Sequence, residues 1–189
     1  MTPAPKPSKV KKKKRRVKPK LMPLSKLDKL TWKITSLAFR IDDADERGYC
    51  NCATCGKQMY YYKSDSQMGH FCSRRFKHTK FLRKNNSTQD TSCNKYRYGE
   101  QYKMGKFLDK KYGEGTADSM VELSKNMAKF TREDYRAALF KNAKFLLKVS
   151  EEKNLQEWRE SLAKWELNFL ANLEEYEQNP EKQLNGQRI

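Results

Sequence analysis

Cys52-Ala53-Thr54-Cys55-Gly56 is the stretch on which the fold class turns. Two thiols two residues apart above a glycine turn make half of a tetrahedral metal site. A second half must supply the remaining ligands, and Asp90-Thr91-Ser92-Cys93 has the same spacing with a carboxylate in place of one thiol. Carboxylate oxygen is an acceptable, harder ligand, so the expected structural Zn2+ set is Cys52, Cys55, Asp90 and Cys93. Cys50 and Cys72 stand by as substitutes for the fourth ligand, with His78 a weaker one. In the competing reading, Asp90 only caps the helix that starts at Cys93, and no zinc is held.

Composition explains why a staple is needed. The 189 residues are 37% hydrophobic and 34% charged, which excludes a large apolar core. Five cysteines cannot all pair with one another, and no apolar h-region follows the basic N-terminus, so metal binding is the first reading for them. No apolar run is long enough to cross a membrane. A net charge of +18 points to a polyanionic partner, with nucleic acid ahead of a membrane surface.

The charge is unevenly placed. Residues 1–20 hold ten Lys/Arg and no acid, residues 21–150 carry a net +12, and residues 151–181 a net −6. The prolines and basic run of the first segment, including Lys11, Lys12, Lys13, Lys14, Arg15 and Arg16, cannot bury enough surface to order themselves. The reading adopted is a mobile arm at 1–24 that attracts phosphates; a solvated tail and a nuclear-localisation look-alike are the alternatives.

From Ser25 to Arg47, Leu27, Leu30, Ile34, Leu37, Ala38 and Ile41 recur at helical steps, and Asp42, Asp43, Asp45 and Gly48 close the stripe. Lys57–Tyr62 and Gln67–Phe71 read as short strands around a Lys63–Ser66 turn. A helix should run from Cys93 to Gly113. Thr116 should cap a short helix carrying Met120, Leu123 and Met127, and Thr131 with Asp134 makes a capping-box start for a longer one. Leu155, Trp158, Leu162, Trp165, Phe169, Leu173 and Tyr176 then form a near-heptad seam on a helix over 152–177. Packing of this seam within the chain is placed first and a homodimer contact second.

Between the two half sites lie Gly69-His70-Phe71-Cys72-Ser73-Arg74-Arg75 and Asn85, and Asn94 follows Cys93. A His on a strand, an Asn in the loop and an Asn on the next helix resemble the ββα-metal constellation of HNH nucleases. The chemistry suits the residue types. Phosphodiester hydrolysis needs a base such as neutral imidazole, and a hard cation that an amide oxygen helps to bind.

At this level of detail the stretch Asp42–Gly113 resembles the NinG/Rap family of phage recombination endonucleases, with its order CxTCG, GHFxSRR, Asn, QCxxCN and LxxKYG. Here these read Cys52–Gly56, Gly69–Arg75, Asn85, Gln89–Asn94 and Leu108–Gly113, preceded by Arg40-Ile41-Asp42-Asp43-Ala44-Asp45. The resemblance implies a structure-specific endonuclease on branched recombination DNA such as Holliday junctions and D-loops. By position it makes His70 the general base. Asn85 would hold the loop or orient the imidazole, and Asn94 would bind a catalytic Mg2+ or Mn2+. Arg74 and Arg75 would sit by the phosphates, with Lys80, Lys84 and Lys95 as further DNA contacts. It also implies a phage-encoded protein in the cytoplasm of a bacterial host.

The chain departs from the pattern at three places. Asp90 replaces a family Cys, Ser87 replaces a frequent His, and Gly69 stands where other HNH enzymes often carry a metal-binding acid; Asp65 or His78 are the candidate helpers. Tyr60, Tyr61 and Tyr62 read first as strand packing and second as a stacking surface for unpaired bases. The expected architecture is α+β: a small zinc-stabilised ββα-metal (HNH-like) core at 49–114, an amphipathic helix at 25–48, a mostly helical region at 115–180, and a tail at 181–189. The alternative to a nuclease is a non-catalytic, zinc-stabilised protein that binds branched DNA.

Overall fold

The computed structural model describes residues 20–179 and 182–189. The basic run from Lys11 to Arg16 lies outside the described residues. Helix α1 (Leu24–Asp43) buries Leu27, Leu30, Ile34, Leu37, Ala38 and Ile41, the stripe expected from its spacing. Its main partner is α5 (Arg132–Glu152), which buries Tyr135, Leu139, Phe140, Ala143, Leu146 and Val149 against it. A polar link crosses this interface: buried Asn142 donates Nδ2 to Thr35 Oγ1 at 2.8 Å and to the Phe81 carbonyl at 3.3 Å. The capping box at the start of α5 is present, with Asp134 N–H donating to Thr131 and the Asp134 carboxylate accepting from Thr131 N–H at 2.7 Å. At the far end, Lys153 donates to the Ile41 and Asp42 carbonyls at 3.0 and 2.7 Å and to that of Ala44. It thereby satisfies carbonyls that the end of α1 leaves open.

Among the described residues, three two-stranded antiparallel sheets complete the α+β fold. β1 (Tyr49–Asn51) pairs with β2 (Gln58–Tyr60), and β3 (Ser66–His70) pairs with β4 (Asn86–Asp90). The strands expected on either side of the Lys63–Ser66 turn therefore exist, but each takes a different partner. β4 has no counterpart in the sequence reading. Asn86-Ser87-Thr88-Gln89-Asp90 carries no apolar residue, yet all five are buried, and polar bonds rather than alternation hold it.

Asp43 is the main such anchor. Its carboxylate accepts from Thr88 N–H and Oγ1 at 2.9 Å, from Lys111 at 2.7 Å, and from Arg83. Burial opposes the charge, but Arg83, Lys111 and the Thr88 N–H outweigh it and hold the carboxyl below its ordinary range.

The helix expected from Cys93 to Gly113 is interrupted. Ser92–Tyr96 forms one π-helical turn, and α3 begins only at Gln101 and runs to Tyr112. Tyr98, Gly99 and Glu100 between them have φ of 52°, 80° and 49°. The next helix, α4 (Thr116–Ser124), takes Gly115 rather than Thr116 as its N-cap and stops short of Met127, which is exposed. A four-residue helix, α2 (Lys77–Lys80), connects β3 to the Arg83–Asn85 turn.

The continuous helix expected over 152–177 is not formed. Asn154 adopts a positive φ, a short 3-10 turn covers Glu157–Ser161, and α6 (Lys164–Ala171) and α7 (Leu173–Gln178) follow as separate pieces. Leu155, Trp158, Leu162, Phe169, Leu173 and Tyr176 are buried in the same core as α1 and α5. Six residues of the seam are therefore occupied within their own chain, the reading placed first, and Trp165 packs partly buried against the same core.

Residues 20–24, assigned to the arm from sequence, are held in place. Met22 is buried and its N–H donates to the Arg188 carbonyl at 2.7 Å, beside the hairpin β5 (Gln183–Leu184) and β6 (Gln187–Arg188). Among the described residues, no helix is long and apolar enough to cross a membrane.

Candidate functional site

The β3–β4 register sets Gln67 opposite Gln89, Gly69 opposite Ser87 and His70 opposite Asn86. The pair and the turn that follows it form one side of a cleft of about 960 Å3. His70, Arg74, Asn94 and Lys95, singled out separately in the sequence, all line it. Trp32 and Arg40 of α1 and Tyr98 contribute as well. Among the described residues, no Asp or Glu lines this cleft.

His70 lies against the Trp32 ring, with centroids 4.3 Å apart. Its Nε2 is buried without a hydrogen-bond partner. Burial, then the positive charges of Arg74 and Lys80, push the imidazole down to about 3, while a backbone hydrogen bond at Lys80 acts in the opposite sense. The ring is thus neutral throughout the physiological range.

Asn94 on the π-helical turn donates Nδ2 to Gln67 Oε1 at 2.9 Å. That bond commits the nitrogen and identifies Oδ1 as the group's acceptor for a ligand. Asn85 sits elsewhere. Fully buried, it accepts from Cys72 N–H and donates to the Cys72 carbonyl, so it holds the loop after β3 and touches the imidazole through neither atom.

With Gln89 where it stands, position 69 leaves no room for the acid that HNH enzymes often carry there. A Cβ would lie 1.9 Å from Gln89 Oε1, and Gln89 is itself buried and tied by Nε2 to the Gly99 carbonyl at 2.8 Å and to Thr54 Oγ1 at 3.3 Å.

Gln89 leads to the thiol cluster. The sulfurs of Cys52, Cys55 and Cys93 lie within 4.8 Å of one another and are placed to hold a thiophilic metal such as zinc. Burial alone would raise the Cys52 thiol, but the Thr54 hydroxyl and the backbone of Asp90, Thr54 and Cys55 lower it to about 7. Burial and its two thiol neighbours raise Cys55.

Asp90 does not join the three sulfurs. Its Oδ1 accepts from Lys57 at 2.8 Å and its Oδ2 from the N–H of Ser92, where the π-helical turn begins, at 2.9 Å. The substitutes are also engaged elsewhere. Cys50 faces the Met59 carbonyl and Ser66, Cys72 is associated with Ser124, and His78 Nε2 lies 2.9 Å from the Ala128 carbonyl against Phe130.

Of the other expected DNA contacts, Lys80 is buried and bonded to both Asp28 oxygens at 2.7 Å, which removes it from any phosphate surface. Lys84 and Lys95 are exposed. Arg75 lies over the Phe76 ring, while Arg74 lines the cleft. Asp65 pairs with Lys57 at 3.6 Å and also lies outside the cleft lining. Tyr61 is fully buried and bonds Glu157 at 2.7 Å, as does Tyr60, so this pair serves packing.

Sequence reasoning missed Arg40, Gln67 and Gln89. Arg40 is a cation on a helix stripe, and its Nη1 reaches the Tyr61 and Ser66 carbonyls at 3.1 and 3.2 Å. Gln67 and Gln89 alternate with the expected site residues along the two strands, and their opposition becomes visible only with the β3–β4 register.

The family model described as the bacteriophage lambda NinG protein matches residues 4–154. No curated protein and no solved structure matches the chain.

Proposed function

The chain belongs to the family of the bacteriophage lambda NinG protein, and on that premise we propose that it is a metal-dependent endonuclease that cuts branched recombination DNA. The observation that carries this reading is the shared cleft, in which a neutral His70 lies with Arg74, Asn94 and Lys95. The pair β3–β4 with the turn that follows then serves as a ββα-metal core of the HNH type.

His70 would take the proton of the attacking water, with its unpartnered Nε2 as the receiving atom. Arg74 and Lys95 would hold the phosphates on either side of the scissile bond. The donor set suits a cation that keeps most of its water and borrows phosphate oxygens, since the cleft offers the Asn94 amide oxygen and no carboxylate among the described residues. Bound there, Mg2+ or Mn2+ would supply charge neutralisation at the phosphate and the leaving oxygen. Asn85 would act at a distance, by fixing the loop that carries Arg74. Zinc on Cys52, Cys55 and Cys93 would tie β4 and the π-helical turn to the β1–β2 hairpin. The setting would be the cytoplasm of the phage's bacterial host.

Purified protein with Mg2+ or Mn2+ should incise a synthetic four-way junction or D-loop, and His70→Ala should abolish incision while junction binding persists. Equal incision by the variant would remove His70 from the chemistry. A second reading has its own support: Trp32 covers the imidazole, and among the described residues no carboxylate lines the cleft. Both suit a protein that binds branched DNA without cutting it, and metal-dependent incision by the wild type would eliminate that reading.

A further inference from the structure

The most exposed aromatic side chains of the described chain are not spread over its surface. Tyr98, Tyr102 and Tyr96 are 87%, 73% and 77% accessible and fall within seven residues of one another in the chain, and Tyr98 itself lines the cleft. An isolated exposed aromatic needs no explanation, but three in one short segment, one of them lining a cleft, mark a surface that meets something.

The backbone that presents them is unusual. Tyr98, Gly99 and Glu100 all have positive φ, and for a residue as bulky as Tyr98 that conformation is disfavoured. It is held from several sides. The Gly99 N–H donates to the Cys93 carbonyl at 2.9 Å, and the Gly99 carbonyl accepts from buried Gln89 at 2.8 Å. Gln101 reaches the carbonyls of Tyr98 and His70, both at 3.4 Å. The ring gains little burial from this arrangement. Backbone strain, two buried anchors and a bridge to the His70 strand hold an aromatic ring out in solvent.

The chemistry of the patch selects its occupant. Lys95, Arg97, Lys103 and Lys106 interleave the tyrosines, with Glu100 the one acid among them. Glu100 is neutralised by Lys103 at 3.0 Å and Arg97 at 3.5 Å, and Lys106 lies 4.5 Å over the Tyr102 ring. Rings among cations, beside a cleft lined by Arg74 and Lys95, match a strand that offers both π-faces and phosphates.

We propose that Tyr98, supported by Tyr96 and Tyr102, is a stacking platform for an unpaired DNA base at the mouth of the His70 cleft. The proposal rests on the reading of the cleft as a DNA site and adds to it a preference for DNA with unstacked bases. Duplex DNA offers phosphates to the same lysines but keeps its base faces covered.

The test uses the full chain and two DNAs of equal length, a duplex and one with a short unpaired bubble containing 2-aminopurine, at one salt concentration. Wild-type protein should bind the bubble more tightly and quench the 2-aminopurine. Tyr98→Asn removes the ring with a residue that tolerates positive φ, and the bubble-over-duplex ratio should fall roughly tenfold with loss of quenching. Tyr98→Phe and Tyr98→Trp should keep both. A Tyr98→Asn protein with unchanged metal content that retains the ratio and the quench overturns the proposal, as does wild-type protein that binds both DNAs equally. Neither readout depends on cleavage. Stacking without incision would reject the nuclease reading alone, and incision with an unaltered Tyr98→Asn ratio would reject the platform alone.

Discussion

Asn85 grips the peptide of Cys72 at both ends: its Oδ1 accepts from the Cys72 N–H at 2.7 Å and its Nδ2 donates to the Cys72 carbonyl at 3.0 Å. The Asn85 carbonyl also accepts from Phe71 N–H at 2.9 Å, which continues the β3–β4 ladder into the turn. Three bonds thus fix the exit of the strand that carries His70 and the start of the segment that carries Arg74. An asparagine at this place acts as a template for the loop.

Asn85→Ala should therefore destabilise the fold by about 2–4 kcal/mol, because it strands a buried N–H and a buried carbonyl together. Urea unfolding would measure the loss. Incision should fall in the same variant through displacement of Arg74, with residual activity that His70→Ala lacks. A stability equal to wild type would show that the loop holds itself.

The thiol cluster yields a prediction that separates two ligand sets. Metal analysis should give about one zinc per chain. Asp90→Ala should retain it, because the Asp90 carboxylate is bonded to Lys57 and to Ser92 N–H and stays out of the cluster. Cys93→Ser should lose it. Loss of zinc from Asp90→Ala would restore the carboxylate as a ligand.

What the sequence made legible follows from how the information is stored in it. The stripe from Leu27 to Ile41 and the Thr131–Asp134 box are local patterns, and local physics realises them. Cys52, Cys55 and Cys93 were readable because ligand spacing is itself a local signal. β4 was not, because Asn86–Asp90 holds its place by hydrogen bonds to Asp43, Lys80 and Leu82, which no periodicity records. The seam from Leu155 to Tyr176 misled for the opposite reason. Its spacing is helical, but Asn154 turns the chain, and burial against α1 and α5 is satisfied by shorter pieces. Lys80 looked like a phosphate contact only because Asp28, 52 residues away in sequence, cannot be seen as its partner.

Asp43 should be the carboxylate to which stability is most sensitive. It joins the end of α1 to β4 through Thr88, to α3 through Lys111, and to Arg83. Asp43→Ala leaves two cations facing a buried gap, and a loss of about 3–5 kcal/mol is expected. Since its folded-state carboxyl lies below the ordinary value, its stabilisation is complete above about pH 4 and fades as the pH falls below that. Thermal melts of the two proteins should converge in strong acid, and a constant gap down to pH 2 would contradict the assignment.

His70 acts in a different pH window. Unfolded, its imidazole binds a proton near pH 6.5; folded, it does so only near 3. Between those values the unfolded chain holds more protons, so stability rises with pH across the window and is lost as the pH falls from about 6.5 toward 3. The cause is burial against Trp32, reinforced by Arg74 and Lys80, which disfavour an imidazolium. His70→Gln has nothing to titrate there, so its stability should fall less than that of wild type between pH 7 and pH 4, where urea midpoints can be compared directly. On the nuclease reading, the same depression would set the shape of the incision profile. A base already neutral at pH 5 contributes no ascending limb near 6.5 to kcat/KM of the free enzyme. If kcat/KM instead rises through pH 6.5 and His70→Gln shows the same acid sensitivity as wild type, the buried, neutral imidazole is the wrong description of the site.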